Sequence, residues 1–158
     1  MPIVLRALFG LVLLVGSSLG QTTGAEDLRT VVKKASFDDV KFELGNAIIE
    51  RGLKVDFAGS ISQMLDRTGA DVGSTRPVYK HAEFMSFCSA KLSRLMMEAD
   101  ATNVAFCPYT VFIYETAAAP GEIVVGYRPF PQPANEESRA ALGEIDKLLA
   151  TIIKAAVQ

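Results

Sequence analysis

The chemistry open to this chain rests on few side chains. His81 is its one histidine, and Cys88 and Cys107 are its two cysteines. An imidazole that is neutral near pH 7 is the commonest protein ligand for a transition metal. One histidine cannot close a metal site by itself, and no Cys/His cluster has zinc spacing. His81 is therefore either a ligand completed from outside its own subunit or an ordinary histidine on a half-exposed strand. The two cysteines stand 19 residues apart in the sequence. A bridge closing that loop would stabilise the fold by roughly 3 kcal/mol in the chain-entropy model. Three readings stay open: a structural disulfide, buried free thiols, or a reactive thiol at Cys88, which sits just before a helix where backbone dipoles favour a thiolate. Arg76 before Pro77 and Arg128 before Pro129 are candidate anion holders, each weighed against an ordinary surface arginine. The carboxylates of Asp38, Asp39 and Glu43 read as solvated.

No pattern for catalysis accompanies these residues. The glycines form neither G-x-G-x-x-G nor a P-loop, so a nucleotide has no phosphate cradle. A serine hydrolase would need His81 as base, and no G-x-S-x-G elbow is present. A non-enzymatic role is the expectation.

The elements that position these residues follow from local pattern. Arg29 to Lys34 reads as a strand. Ser36 caps a helix whose Phe37, Val40, Leu44, Ala47 and Ile48 make one apolar face, and Gly52 is its expected left-handed stop. Leu53 to Phe57 alternates as a second strand. Ser60 with Gln63 caps a short helix of Ile61, Met64 and Leu65 that ends near Gly69, and residues 69–77 form a loop. Val78 to Phe87 is read as a strand, with Tyr79, His81, Glu83, Met85 and Phe87 on one face and Ala82, Phe84, Ser86 and Cys88 on the other. Ser89 caps a third helix with Leu92, Leu95, Met96 and Ala99 inward. Thr110 to Glu115 and Glu122 to Arg128 form a hairpin, and Pro108 marks the start of its first strand. Asn135 caps a last helix carrying Ala141, Leu142, Ile145, Leu148, Leu149 and Ile152. The order is β-α-β-α-β-α-β-β-α. It predicts an α+β two-layer sandwich with one mixed sheet of about five strands, the strands joined through helices being parallel or mixed neighbours.

With 158 residues, the chain suits one domain, here residues 28–158. Hydrophobic residues make up 49% and charged residues 22%, which excludes disorder. A net charge of −2 gives no footprint for nucleic acid and no polybasic membrane anchor. Residues 1–20 read as a signal peptide: Arg6, then the apolar run Ala7 to Val15, then small residues up to Gly20. Cleavage after Ala25 is the alternative. The apolar run is about half the ~20 residues a bilayer span needs, so no stable membrane span is expected after cleavage, and the destination is the periplasm or outside.

Several segments in order carry a family likeness: Ser36-Phe37-Asp38-Asp39, Ile49 to Val55 (IERGLKV), Phe87-Cys88-Ser89-Ala90, Cys107-Pro108-Tyr109, and Val111 to Glu115 (VFIYE). Together they resemble the prokaryotic domain-of-unknown-function family 302 over roughly residues 28–155. The resemblance implies a compact α+β sandwich. Some exported, Cys-containing members look like haem b binders with a histidine as axial ligand, which carries over to His81 alone. Absence of C-x-x-C-H excludes covalent c-type haem. In a homodimer each subunit would present the same His81, supplying the ligand one chain lacks. Met85 is then a candidate second ligand, while Arg76 and Arg128 are candidates for holding a propionate. Bis-histidine ligation would suit electron transfer with a redox partner; an open sixth position would suit gas binding, and haem handling is a third role. The rival is an exported small-ligand or protein-interaction module without haem, in which Cys88 and Cys107 form a structural pair.

Overall fold

A computed structural model describes residues 28–158. The expected leader, with both of its cleavage sites, lies outside the described residues. Among the described residues, no helix is long and apolar enough to cross a membrane.

The β-branched centre of β1 (Arg29–Lys34) opens the fold. Helix α1 (Phe37–Ile49) follows, its first turn capped by Ser36 Oγ accepting from Asp39 N at 3.1 Å. The turn after α1 reverses at Gly52, whose φ of 70° costs nothing without a Cβ. Strand β2 (Val55–Ser60) leads directly into α2 (Ile61–Thr68), capped by Ser60. Then come β3 (Tyr79–Phe87), α3 (Ala90–Ala99, capped by Ser89), β4 (Tyr109–Thr116), β5 (Glu122–Tyr127) and α4 (Glu136–Ala155, capped by Asn135). Between α3 and β4 lies a short 3-10 helix, Ala101–Phe106, that the sequence pattern did not announce.

The expected element order and α+β class hold, and the pairing within the sheet differs from the expectation. The strands run β1-β5-β4-β3-β2, and every neighbouring pair is antiparallel. Among the described residues no strand pair is parallel, because the links through α2 and α3 return the chain to the adjacent strand as an extended hairpin would. Only α1 carries the chain from one edge of the sheet to the other.

Helices α1 and α4, with α3 against α4, cover one face of the sheet. Core-facing Met85, Phe87, Val111, Ile113, Ile123 and Val125 meet the α1 stripe Phe37, Val40, Leu44, Ala47 and Ile48 and the α4 stripe Ala141, Leu142, Ile145, Leu149 and Ile152. Each such side chain contributes roughly 1.5–3 kcal/mol by leaving water. In α3 only Met96 is fully buried; Leu95, expected inward, is exposed because this helix lies against α4 at the margin of the layer. Met64 and Leu65 of α2 are exposed as well.

The other face of the sheet is open. Its alternate residues include Val32 at 54% exposure and Phe57 at 62%. On this face Phe84 lies over Gly59 and Phe112 over Gly126, each an aromatic paired across strands with a glycine.

Candidate functional site

The apolar alternation of β4 builds the first site. Tyr109, Val111 and Ile113 point into the core, and the next inward position is Glu115. Its side chain is 2% exposed. Such a carboxylate needs donors, and three groups from two neighbouring segments face it. Gly121 N donates to Oε1 at 2.7 Å, Lys80 Nζ donates to the same oxygen at 3.1 Å, and His81 Nε2 lies 4.0 Å from Oε2. The Gly121 N–H, ahead of opposing burial and of Lys80 and His81, holds the Glu115 carboxyl below its ordinary range.

His81 reaches this carboxylate because β3 bulges between Tyr79 and His81, where the pairing passes from Tyr79↔Thr116 to His81↔Glu115. The same bulge corrects the expected strand face. Tyr79 turns to the open side, where it meets Tyr114 edge-on at 5.6 Å, while His81 shares the helix side with Glu83, Met85 and Phe87. The imidazole stacks on Phe37, the first residue of α1, with ring centroids 4.7 Å apart. Its side chain is 46% exposed. One ring edge thus faces a buried anion, one ring face is backed by an aromatic, and the other edge is turned away from the carboxylate. Lys41 Nζ pairs with Glu83 Oε2 at 2.7 Å on the same strand, tying α1 to β3 beside the site.

The remaining candidates lie elsewhere. Met85 is 7% exposed within the core cluster. Four residues along β3 place it roughly 13 Å from His81, too far to share one iron with it. Met85 is therefore a core residue, correcting its candidacy as second ligand. Arg76 borders a cleft of about 280 Å³ with Asp66, Thr75 and Tyr79, at the same end of the sheet as His81. Arg128 follows β5 at the opposite end, since Ile123 is in line with Glu115 and His81 while Tyr127 is in line with Val111 and Met85. It is not brought to His81 of its own subunit.

The second site is at the far end of β3. Cys88 follows the last ladder pair, Phe87↔Tyr109, and Cys107 ends the 3-10 helix two residues before Tyr109. The two half-buried sulfurs lie 2.6 Å apart. Ser93 Oγ stands 3.6 Å from Cys107 Sγ and 2.8 Å from the Tyr109 hydroxyl. Burial, then the neighbouring Cys107 sulfur, pushes the Cys88 thiol up to about 11.

Sequence reasoning missed Glu115, Phe37, Ser93 and Tyr109 as parts of these sites. Glu115 carried a usable signal, as the one charged residue at an inward position of an otherwise apolar strand. Phe37 was read correctly as core, yet nothing local places it against His81. Among the described residues, no cluster of three or more His, Cys, Asp or Glu side chains stands ready to hold a metal ion.

Comparison with known proteins adds the following. A family model described as "Domain of unknown function DUF302" matches residues 28–156. A solved structure described as the uncharacterized conserved protein DUF302 from Bacillus stearothermophilus is similar, with a TM-score of 0.66 and 14% sequence identity, over 82% of this chain and 98% of that one. At that identity the likeness speaks to the fold. No curated protein matches the chain.

Proposed function

The chain belongs to the domain-of-unknown-function family 302, and from that membership we propose that it is an exported, non-enzymatic haem b protein acting as a homodimer, with His81 as axial ligand. One observation carries this reading: His81 is half-exposed, with one edge toward the buried Glu115 and Phe37 stacked on its ring. A histidine that binds iron is ordinarily oriented by a carboxylate or carbonyl on its other nitrogen, which fixes the tautomer and raises ligand basicity. The residues present fit one axial ligand and one apolar wall of a haem site. They do not fit a site enclosed by a single subunit, because Met85 is in the core and Arg128 is at the other end of the sheet. A second copy would supply the missing wall and ligand, since a two-fold interface duplicates every residue. Arg76 shares the end of the sheet with His81, yet its cleft is lined by Tyr79 of the open face, so a propionate would reach it only around the end of the sheet. When bound, haem b would supply one-electron or diatomic-ligand chemistry; this chain would orient the imidazole through the Phe37 ring, with the Glu115 carboxylate 4.0 Å from Nε2.

The test is an absorption spectrum of the purified protein with added haemin, repeated on His81→Ala, with light scattering to follow the mass. A Soret band that needs His81, together with a dimeric mass, supports the reading. Identical spectra for wild type and variant reject it. The open sheet face, with Phe57 and Val32 exposed, favours a second reading: an interaction module without haem. Under that reading both spectra are those of free haemin.

A further inference from the structure

We propose that Cys88 and Cys107 form a dithiol–disulfide site, closed by exchange with a disulfide-bearing oxidant, with the Ser93 hydroxyl positioned on its sulfurs. The inference stands apart from haem binding. The β3–β4 ladder sets the geometry, because its last pair, Phe87↔Tyr109, leaves Cys88 and Cys107 facing each other just past the sheet. The sulfurs stand 2.6 Å apart, about half an ångström from the length of a disulfide bond. Both residues are half-buried, at the end of the sheet and not within the core cluster's closed centre.

The surroundings are built around sulfur chemistry. Tyr109 is 1% exposed and held by the edges of Phe87 and Phe130, with centroids 6.0 Å and 6.3 Å away. Its hydroxyl bonds Ser93 Oγ, which is thereby fixed one turn into α3 and beside Cys107 Sγ. A hydroxyl there can donate to a sulfur as it becomes a thiolate.

In the oxidative direction, the thiolate of one cysteine attacks the external disulfide. The external S–S bond breaks, and its first half leaves with the electron pair and takes up a proton. The second cysteine, as its thiolate, then attacks the mixed disulfide and expels the other half. Two protein thiols lose two electrons and two protons, and the oxidant becomes two thiols. The product ties the start of α3 to the end of the 3-10 helix and so closes the one segment that links β3 to β4. The high thiol pKa of Cys88 makes exchange slow at neutral pH and faster in base.

The test uses the haem-free protein, so its failure leaves the His81 reading untouched. Reduced protein is equilibrated in glutathione buffers of increasing oxidised fraction. Free thiols are then counted by alkylation in denaturant, and peptides are mapped without reduction. The expected result is paired loss of both thiols, one peptide linking Cys88 to Cys107 two hydrogens lighter, and no glutathione adduct. The rate should rise about tenfold per pH unit below the thiol pKa. Cys88→Ser should instead carry glutathione on Cys107. Ser93 is a positioning residue: Ser93→Ala should slow closure of the bridge by oxidised glutathione by roughly fivefold to tenfold, the equivalent of one hydrogen bond, and shift its pH profile upward, while Ser93→Thr restores both. Two free thiols in fully oxidised buffer, or two separate glutathione adducts on the wild-type chain, would overturn the site. An unchanged rate and pH profile in Ser93→Ala would remove Ser93 from it.

Discussion

Two glycines of the sheet, each facing an aromatic ring on the neighbouring strand, should respond unequally to the same substitution. A Cβ on Gly126 would stand 2.6 Å from the Arg29 carbonyl oxygen and 2.6 Å and 2.9 Å from ring carbons of Phe112. The ring can turn, but the carbonyl belongs to β1, which is hydrogen-bonded to β5 along its whole length. Making room therefore means shifting an edge strand by a few tenths of an ångström. Overpacking of this kind costs about 1–3 kcal/mol, against a gain of about 0.4–1 kcal/mol from the less flexible unfolded chain. Gly126→Ala should lose about 1–2 kcal/mol, lowering Tm by about 3–8 °C for a domain of this size. At Gly59 the contacts under 3.0 Å are both with ring carbons of Phe84, at 2.6 Å and 2.8 Å. That ring lies on the open face and can swing aside at about 0.5–1.5 kcal/mol, which the entropic gain nearly offsets. Gly59→Ala should be close to neutral. Gly143→Ala in α4, with nothing within 4 Å of the added carbon, serves as the stabilising control, by up to about 1 kcal/mol. Urea unfolding of all three variants decides the matter. A loss at Gly59 equal to or above the loss at Gly126 would refute the claim that backbone, and not the aromatic ring, sets the limit.

Two further outcomes follow from buried polar groups. Glu115 has a folded pKa below its ordinary 4.5, so its contribution is fully present above that value and is lost as pH falls through the folded pKa. The wild-type urea midpoint should therefore drop more steeply between neutral pH and pH ~3 than that of Glu115→Gln; parallel curves would show that the carboxylate is not held as described. Asn103 is 3% exposed and donates through Nδ2 to the Met96 carbonyl at 2.8 Å and to Ser138 Oγ at 2.7 Å, joining α3 to α4. Asn103→Ala should cost about 1–3 kcal/mol by leaving the buried Ser138 hydroxyl without its donor and the Met96 carbonyl with the Asp100 N–H alone, and a change under ~0.5 kcal/mol in thermal unfolding would contradict that.

The local parts of this fold were legible because short-range physics decides them. Ser36, Ser60, Ser89 and Asn135 each cap the helix their sequence position announces. The α1 and α4 stripes are buried as their spacing requires. What escaped depends on long-range partners. A helix between two strands reads alike whether the chain crosses over or returns, so the antiparallel pairing throughout could not be read from element order. Strict period-two counting put Tyr79 beside His81, and one bulged residue reversed that, because a slip of one residue moves a side chain to the other face. Leu95 fits an inward stripe by spacing, yet α3 has a neighbour on too little of its surface to bury it. His81 and the two cysteines were visible as residue types. Their partners Glu115, Phe37, Ser93 and Tyr109 come from segments that only the fold brings near.

The two sites occupy opposite ends of β3, and this separation governs how they can influence one another. Seven residues of extended chain part His81 from Cys88, roughly 20 Å. Electrostatic interaction through solvent is screened beyond about 8 Å at physiological salt, so the charge state of the sulfurs does not reach the imidazole directly. Substitutions that far apart, sharing no partner, add in their effects on stability. Any linkage must then travel through packed structure. Besides β3 itself, one route runs through the helices: the Cys88–Cys107 segment contains α3 and Asn103, Asn103 is bonded to Ser138 of α4, α4 packs on α1, and α1 begins with Phe37 against the His81 ring. Opening the sulfur bridge perturbs the first member of that chain of contacts, and the imidazole senses only what survives to the last. Asn103→Ala removes one polar joint of that route, while Asn135 Nδ2, donating to the Ala99 carbonyl at 3.2 Å, keeps another. A change in His81 behaviour on oxidation that persists in that variant would have to travel by the remaining α3–α4 packing or along β3 itself.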